Sequence, residues 1–194
     1  MWAARRLRSG QVLAWGVGLG VLAVLLAVGL SGRGATKVRL APALPSRALA
    51  GSSVTLATLL GAPQQAGGAP AGSSAKVGPH GSHAAIVLFW ASWCTPCQHE
   101  APAVERFAQS AAGRGQIVGV DYGESETGGP RAFLRRYRWS FPNLTDPDAR
   151  AGEAYGVVGL PSTFVLDARG DIRTMLRGPQ TEQSLARALS AVEG

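Results

Sequence analysis

The chemistry open to this sequence rests on two residues, Cys94 and Cys97, the only cysteines among 194 residues. They stand as Trp93-Cys94-Thr95-Pro96-Cys97, between the apolar run Ile86-Val87-Leu88-Phe89-Trp90 and helix-like sequence from Pro96 to about Ala111. A thiol at a helix N-terminus meets unpaired backbone N–H groups and the positive end of the helix dipole, and both stabilise its thiolate. Cys94 takes that place. Cys97 comes one turn later and faces it, so the pair can close a disulfide with little backbone movement. On this reading Cys94 attacks and Cys97 resolves.

Other uses of two thiols fit less well. Two are too few for a disulfide-stapled scaffold or a four-thiolate zinc site. A mixed zinc site would need His80 and His83, which lie in a Gly/Pro/Ala stretch that cannot pre-position them. A copper chaperone would need a histidine beyond the cysteine helix, and the last histidine is His99. A purely structural bridge over two intervening residues would constrain the unfolded chain little. No metal and no cofactor is expected.

The surrounding elements follow from hydrophobic patterning. Ile86 to Trp90 reads as a strand buried on both faces, and Ile117-Val118-Gly119-Val120 as a second. Between them Val104, Phe107, Ala108 and Ala111 fall at helical spacing, with a kink expected at Pro102. Pro130 to Trp139 reads as a helix with Phe133, Leu134 and Tyr137 inward and Arg135, Arg136 and Arg138 solvated. Thr163 to Leu166 and Ile172 to Arg177 read as a hairpin, and Thr181 caps a helix carrying Leu185, Leu189 and Val192. The order β-α-β-α-β-β-α predicts a central mixed sheet flanked by helices.

The N-terminal third differs. Val12 to Leu30 is 19 mostly apolar residues, with no charge between Arg8 and Arg33. That length suits a retained membrane anchor better than the apolar region of a cleaved signal peptide. Residues 1–11 are then cytoplasmic, 12–30 span the membrane, and the rest lies outside the cytoplasm. Residues 31–84 read as a linker and lead-in, with a possible strand at Val54-Thr55-Leu56 and a hairpin opening the domain from residue 40. From Gly61 to Ala84, 18 of 24 residues are Gly, Ala, Pro or Ser, which predicts a loop. The catalytic core is expected over 85–194. The net charge of +7 does not signal nucleic-acid binding: six basic residues and no acid lie in the first 39, leaving 13 basic against 12 acidic groups elsewhere.

Together these residues resemble a known family. Phe89-Trp90-Ala91-Ser92-Trp93-Cys94-Thr95-Pro96-Cys97, extended by Glu100 and Pro102, is similar to the active-site segment of the thioredoxin superfamily. The extended form resembles the membrane-anchored TlpA/ResA/CcmG (DsbE)-type thiol-disulfide oxidoreductases. A second block, Tyr155-Gly156-Val157-Val158-Gly159-Leu160-Pro161-Ser162-Thr163-Phe164-Val165-Leu166-Asp167, agrees with that family's proline loop. The tail Arg177-Gly178-Pro179 leans toward the cytochrome c maturation branch. The resemblance covers roughly residues 40–60 and 85–192. It departs at Gly61 to Ala84, where the family usually has a short Gly-Lys turn.

The resemblance implies a thioredoxin-like α/β fold behind an N-terminal anchor. It implies a cis bond before Pro161, which faces the cysteines and leaves the Leu160 backbone free to pair with an extended substrate. Trp93 is expected to cover the disulfide. Glu100, one turn beyond Cys97, is expected to exchange protons with the thiols, because Leu88 holds the position where classical thioredoxins carry a buried Asp. The expected partners are disulfide-bearing exported proteins, including apocytochrome c or its maturation factors, with a transmembrane thiol donor restoring the reduced state. A general extracytoplasmic reductant or oxidant, and a non-catalytic thiol-binding module, are the competing readings.

Overall fold

The computed structural model describes residues 39–61 and 82–193. The expected anchor at 12–30, and the expected loop at 61–84 apart from its ends, lie outside these residues. Among the described residues no helix is long and apolar enough to cross a membrane.

The strand from Ala85 to Trp90 (β3) organises the molecule. All six residues are buried, as its unbroken apolar run requires. It pairs in parallel with β4 (Ile117–Tyr122) and antiparallel with β6 (Ser162–Leu166). Successive side chains point to opposite faces and seed two cores. Ile86, Leu88 and Trp90 join the cysteines and residues of α2 (Thr95–Gln109), α3 (Gly128–Tyr137) and α5 (Glu182–Ser190). Val87 and Phe89 join Leu59, Tyr155 and Phe164 on the other face, where α1 (Leu56–Leu59) and α4 (Arg150–Tyr155) lie. The result is a seven-stranded mixed sheet in the order β1 (Arg39–Leu40), β7 (Asp171–Arg177), β6, β3, β4, β5 (Asn143–Asp146) and β2 (Ala48–Ala50), the central mixed sheet expected from the sequence.

Several local expectations change. Val54-Thr55-Leu56 is not a strand. Thr55 caps α1, its hydroxyl accepting the Thr58 N–H at 3.2 Å. The lead-in is not a hairpin either. β1 (Arg39–Leu40) pairs with β7 (Asp171–Arg177) and β2 (Ala48–Ala50) with β5 (Asn143–Asp146), at opposite edges of the sheet. Each is too short to show a period and takes its conformation from the edge it joins. The β5-α4 pair is an added unit. β5 is fully buried yet reads Asn-Leu-Thr-Asp, so no apolar run marks it. Its polar groups are satisfied by tertiary partners: Asn143 accepts the Trp90 indole N–H at 3.0 Å, and Asp146 accepts two amide N–H groups of α4. α3 begins two residues before its expected proline start, and α2 runs through Pro102 as one helix.

Candidate active site

β3 ends at Trp90, and the chain turns through Ala91, Ser92 and Trp93 into α2. Cys94 is the N-cap of that helix, and its sulfur accepts the Cys97 N–H at 3.1 Å. The two sulfurs are bonded at 2.08 Å, with Cα atoms 5.2 Å apart. An N-cap acceptor satisfies one of the orphan donors of the first helical turn. In the reduced protein the same place favours a thiolate on Cys94. Cys97 is fully buried, beneath the outer sulfur.

The turn is held from two sides. The Glu124 carboxylate accepts both the N–H and the hydroxyl of Ser92, the hydroxyl at 2.6 Å. The Gln98 side chain donates to the Ser92 carbonyl at 3.0 Å. Neither Glu124 nor Ser92 stood out in the sequence as a site residue.

Glu100 is buried, at 2% exposure, rather than on the helix surface. One carboxyl oxygen accepts the Gln180 backbone N–H at 2.7 Å, and the other has no partner. Burial pushes its pKa up to about 8, against a smaller downward pull from the Gln180 bond. A carboxyl titrating near neutrality can both give and take a proton.

The opposite wall comes from the second sequence block. The Leu160–Pro161 peptide bond is cis. Leu160 lines a cleft of about 400 Å3 together with Trp93, Cys94, Pro96, Tyr122 and Val157. Pro161 is buried behind it, its carbonyl accepting the Gly178 N–H at 3.1 Å. Trp93 and Val158 stand 65% and 76% exposed on the rim. The structure thus gathers Trp93, Cys94 and Leu160 around one cleft, with Cys97 and Pro161 behind its surface. Tyr122 and Val157 are added to the set read from the sequence. Among the described residues no cluster of His, Cys, Asp or Glu could hold a metal.

A mixed sheet with helices on both faces, a cysteine pair at the N-terminus of the helix after the central strand, and a cis-proline loop beside it define a thioredoxin-like fold. The chain belongs to the AhpC/TSA family, whose model matches residues 47–175. It is 33% identical to the thioredoxin-like protein YneN of Bacillus subtilis over 106 residues, which are 54% of this chain and 62% of YneN. It is 34% identical to the thiol:disulfide interchange protein HelX of Rhodobacter capsulatus over 105 residues, 54% of this chain and 57% of HelX. These matches span about six-tenths of each relative. Among solved structures, a thioredoxin-family thiol:disulfide interchange protein from Chlorobium tepidum superposes with a TM-score of 0.62 at 24% identity, covering 82% of this chain and 99% of that one.

Proposed function

We propose that this protein is a membrane-anchored thiol-disulfide oxidoreductase whose domain works outside the cytoplasm, reducing disulfides in exported proteins. One observation carries the reading: a disulfide whose outer sulfur caps a helix at an apolar cleft, while its partner is sealed beneath. Relatives named as thiol-disulfide oxidoreductases and interchange proteins support it. The apolar segment 12–30 supports the anchor. The resemblance to the cytochrome c maturation branch supports apocytochrome c, or the factors that handle it, as the substrate.

In the reduced protein the Cys94 thiolate attacks one sulfur of the partner disulfide. The partner's S–S bond breaks, a mixed disulfide forms on Cys94, and the departing thiolate takes a proton from solvent. Cys97 then loses its proton, with Glu100 as the nearby acceptor on the same helix. Its sulfur attacks Cys94, and the second partner thiolate leaves. Two electrons pass to the partner, and Cys94–Cys97 ends oxidised. A transmembrane thiol donor reverses that change. The substrate lies in the cleft along Leu160, with Trp93 against its side chains.

Cys97→Ser removes the resolving thiol. It should trap a mixed disulfide between Cys94 and the partner, and a non-catalytic binding module would trap none. The equilibrium potential decides direction: a value near thioredoxin's ~−270 mV or lower marks a reductant, and one near ~−120 mV an oxidant.

A further inference from the structure

A groove of about 480 Å3 lies between α3 and the edge strand β2, lined by none of the residues of the cleft at Cys94. Its floor is apolar. Leu49 of β2, Leu134 of α3 and Trp139 just beyond α3 belong to the core that also holds the cysteines. Three exposed arginines rim it: Arg131, Arg135 and Arg138. Arg131 and Arg135 stand one turn apart on the same face of α3. Arg138 closes that helix in the left-handed conformation, φ 55°, where Gly or Asn is the easier residue.

The chain supplies these arginines with no acid. Among the described residues no ion pair includes one of them, and no Asp or Glu lines the groove. Residues 1–38 and 62–81 contain neither Asp nor Glu. Like charges along one groove repel, and an anion set between them removes that cost. A guanidinium holds a carboxylate through two parallel N–H bonds, and its aliphatic stem adds to the apolar walls. The shape selects further. A bilayer surface takes up apolar side chains that protrude. Here the apolar floor is recessed below the charges, so the occupant must push an apolar group inward and keep its carboxylates at the rim.

We propose that this groove docks an acidic segment of a partner protein. The segment seats a bulky apolar side chain on Leu134 and Trp139 and sets flanking Asp or Glu side chains against Arg131, Arg135 and Arg138. Tryptophan and arginine are the residue types that most often carry the affinity of such contacts. The place also bears on the thiols. The Trp139 ring packs edge-on against Trp90 at the end of β3, with centroids 5.0 Å apart, and its indole N–H donates to the Ala101 carbonyl of the cysteine helix at 3.0 Å. A partner docked here rests against the strand and helix that carry Cys94 and leaves the cleft free for the disulfide. Docking involves no thiol, so it stands or falls apart from the oxidoreductase reading.

The test uses the full chain in zwitterionic detergent micelles and, as probe, the blocked peptide acetyl-Glu-Asp-Leu-Phe-Asp-Glu-amide, followed by titration calorimetry. The peptide should bind, and the double variant Arg131→Gln, Arg135→Gln should weaken it about tenfold or more, since two charge-assisted contacts are lost. Arg114→Gln, at an exposed arginine outside the groove, should leave binding unchanged. Replacing the peptide's Leu and Phe by Gly should also weaken binding about tenfold. No binding, equal losses in the groove and Arg114 variants, or indifference to the Gly replacement would overturn the proposal. Equal melting temperatures of the variants confirm that the loss is local. In NMR the Trp139 indole N–H signal should shift with the peptide. A shift produced instead by phosphatidylglycerol in nanodiscs carrying the chain, and not by the peptide, would make the occupant a membrane and reject the protein partner. Disulfide turnover by the unsubstituted chain is measured separately. Its absence, with peptide binding intact, would reject the enzyme reading and keep the docking site.

Discussion

The Gln180 backbone N–H meets Glu100 at 2.7 Å, joining the cysteine helix to the segment that precedes the last helix, 80 residues away in sequence. The bond satisfies one carboxyl oxygen and leaves the other bare in the core. Glu100 is thereby fixed in place, yet its burial still favours the protonated form.

That state has a consequence for stability. An acid with a raised folded-state pKa binds its proton more tightly in the folded chain than in the unfolded one. The contribution of Glu100 is therefore most favourable below the ordinary value of 4.5, declines as pH rises toward about 8, and levels off above it. Glu100→Gln should flatten this part of the stability–pH curve, as denaturant unfolding at several pH values would show. A variant curve parallel to the wild type would place Glu100 outside the titration.

Cys94 should be alkylated at least tenfold faster than Cys97 in the reduced protein at neutral pH. Cys94 occupies the N-cap and borders the cleft, whereas Cys97 is buried behind it. Mass spectrometry of partially modified protein checks the order. Equal rates would overturn the assignment of attacker and resolver.

Trp93→Ala and Val158→Ser act on exposed rim residues, so melting temperatures should hardly move. Reduction of a protein disulfide should weaken by about 1–2 kcal/mol for Trp93→Ala, the usual loss on truncating a buried aromatic anchor. Reduction of a small linear disulfide such as hydroxyethyl disulfide should be spared, because it needs no rim. Parallel assays on the two substrates separate docking from thiol chemistry, and equal losses would remove the rim from substrate binding.

Gly119→Ala tests the support beneath the site. A methyl group at Gly119 would overlap the Asn143 side chain, which holds the Trp90 indole at the end of β3. Neither group can retreat, because Asn143 also donates to the Phe141 carbonyl and Trp90 is packed against Phe133 and Trp139. Overpacking of this kind costs about 1–3 kcal/mol. Thermal unfolding should show the loss, and an unchanged melting temperature would mean that the strands part to admit the methyl.

Much of the molecule was legible in the residues alone. Ile86 to Trp90 form an unbroken apolar run because β3 is covered on both faces, and that run placed the cysteines where a central strand meets a helix. Thr181 and the spacing of Leu185 and Leu189 placed the last helix for the same reason: local preference and burial agree there. The paired thiols, Glu100 one turn on, and the Leu160-Pro161 loop were all visible as motifs.

What stayed hidden depends on contacts between distant segments. β5 is polar in sequence and buried in the fold, since Asn143 and Asp146 are satisfied only by Trp90, Phe141 and α4. β1 and β2 have no periodicity and become strands only by joining opposite edges of the sheet. Glu100 could be placed on its helix from sequence, but its burial under Gln180 required the last segment to fold back. Asp121 and Glu124 could have been surface acids after a strand. Only the parallel pairing of β3 with β4 brings Asp121 beside Trp90, and the turn beyond β4 sets Glu124 against Ser92. Side-chain type and spacing determine which reactions are possible. Burial and charge proximity, which shift a pKa or hold a loop, arise only once the chain has closed on itself.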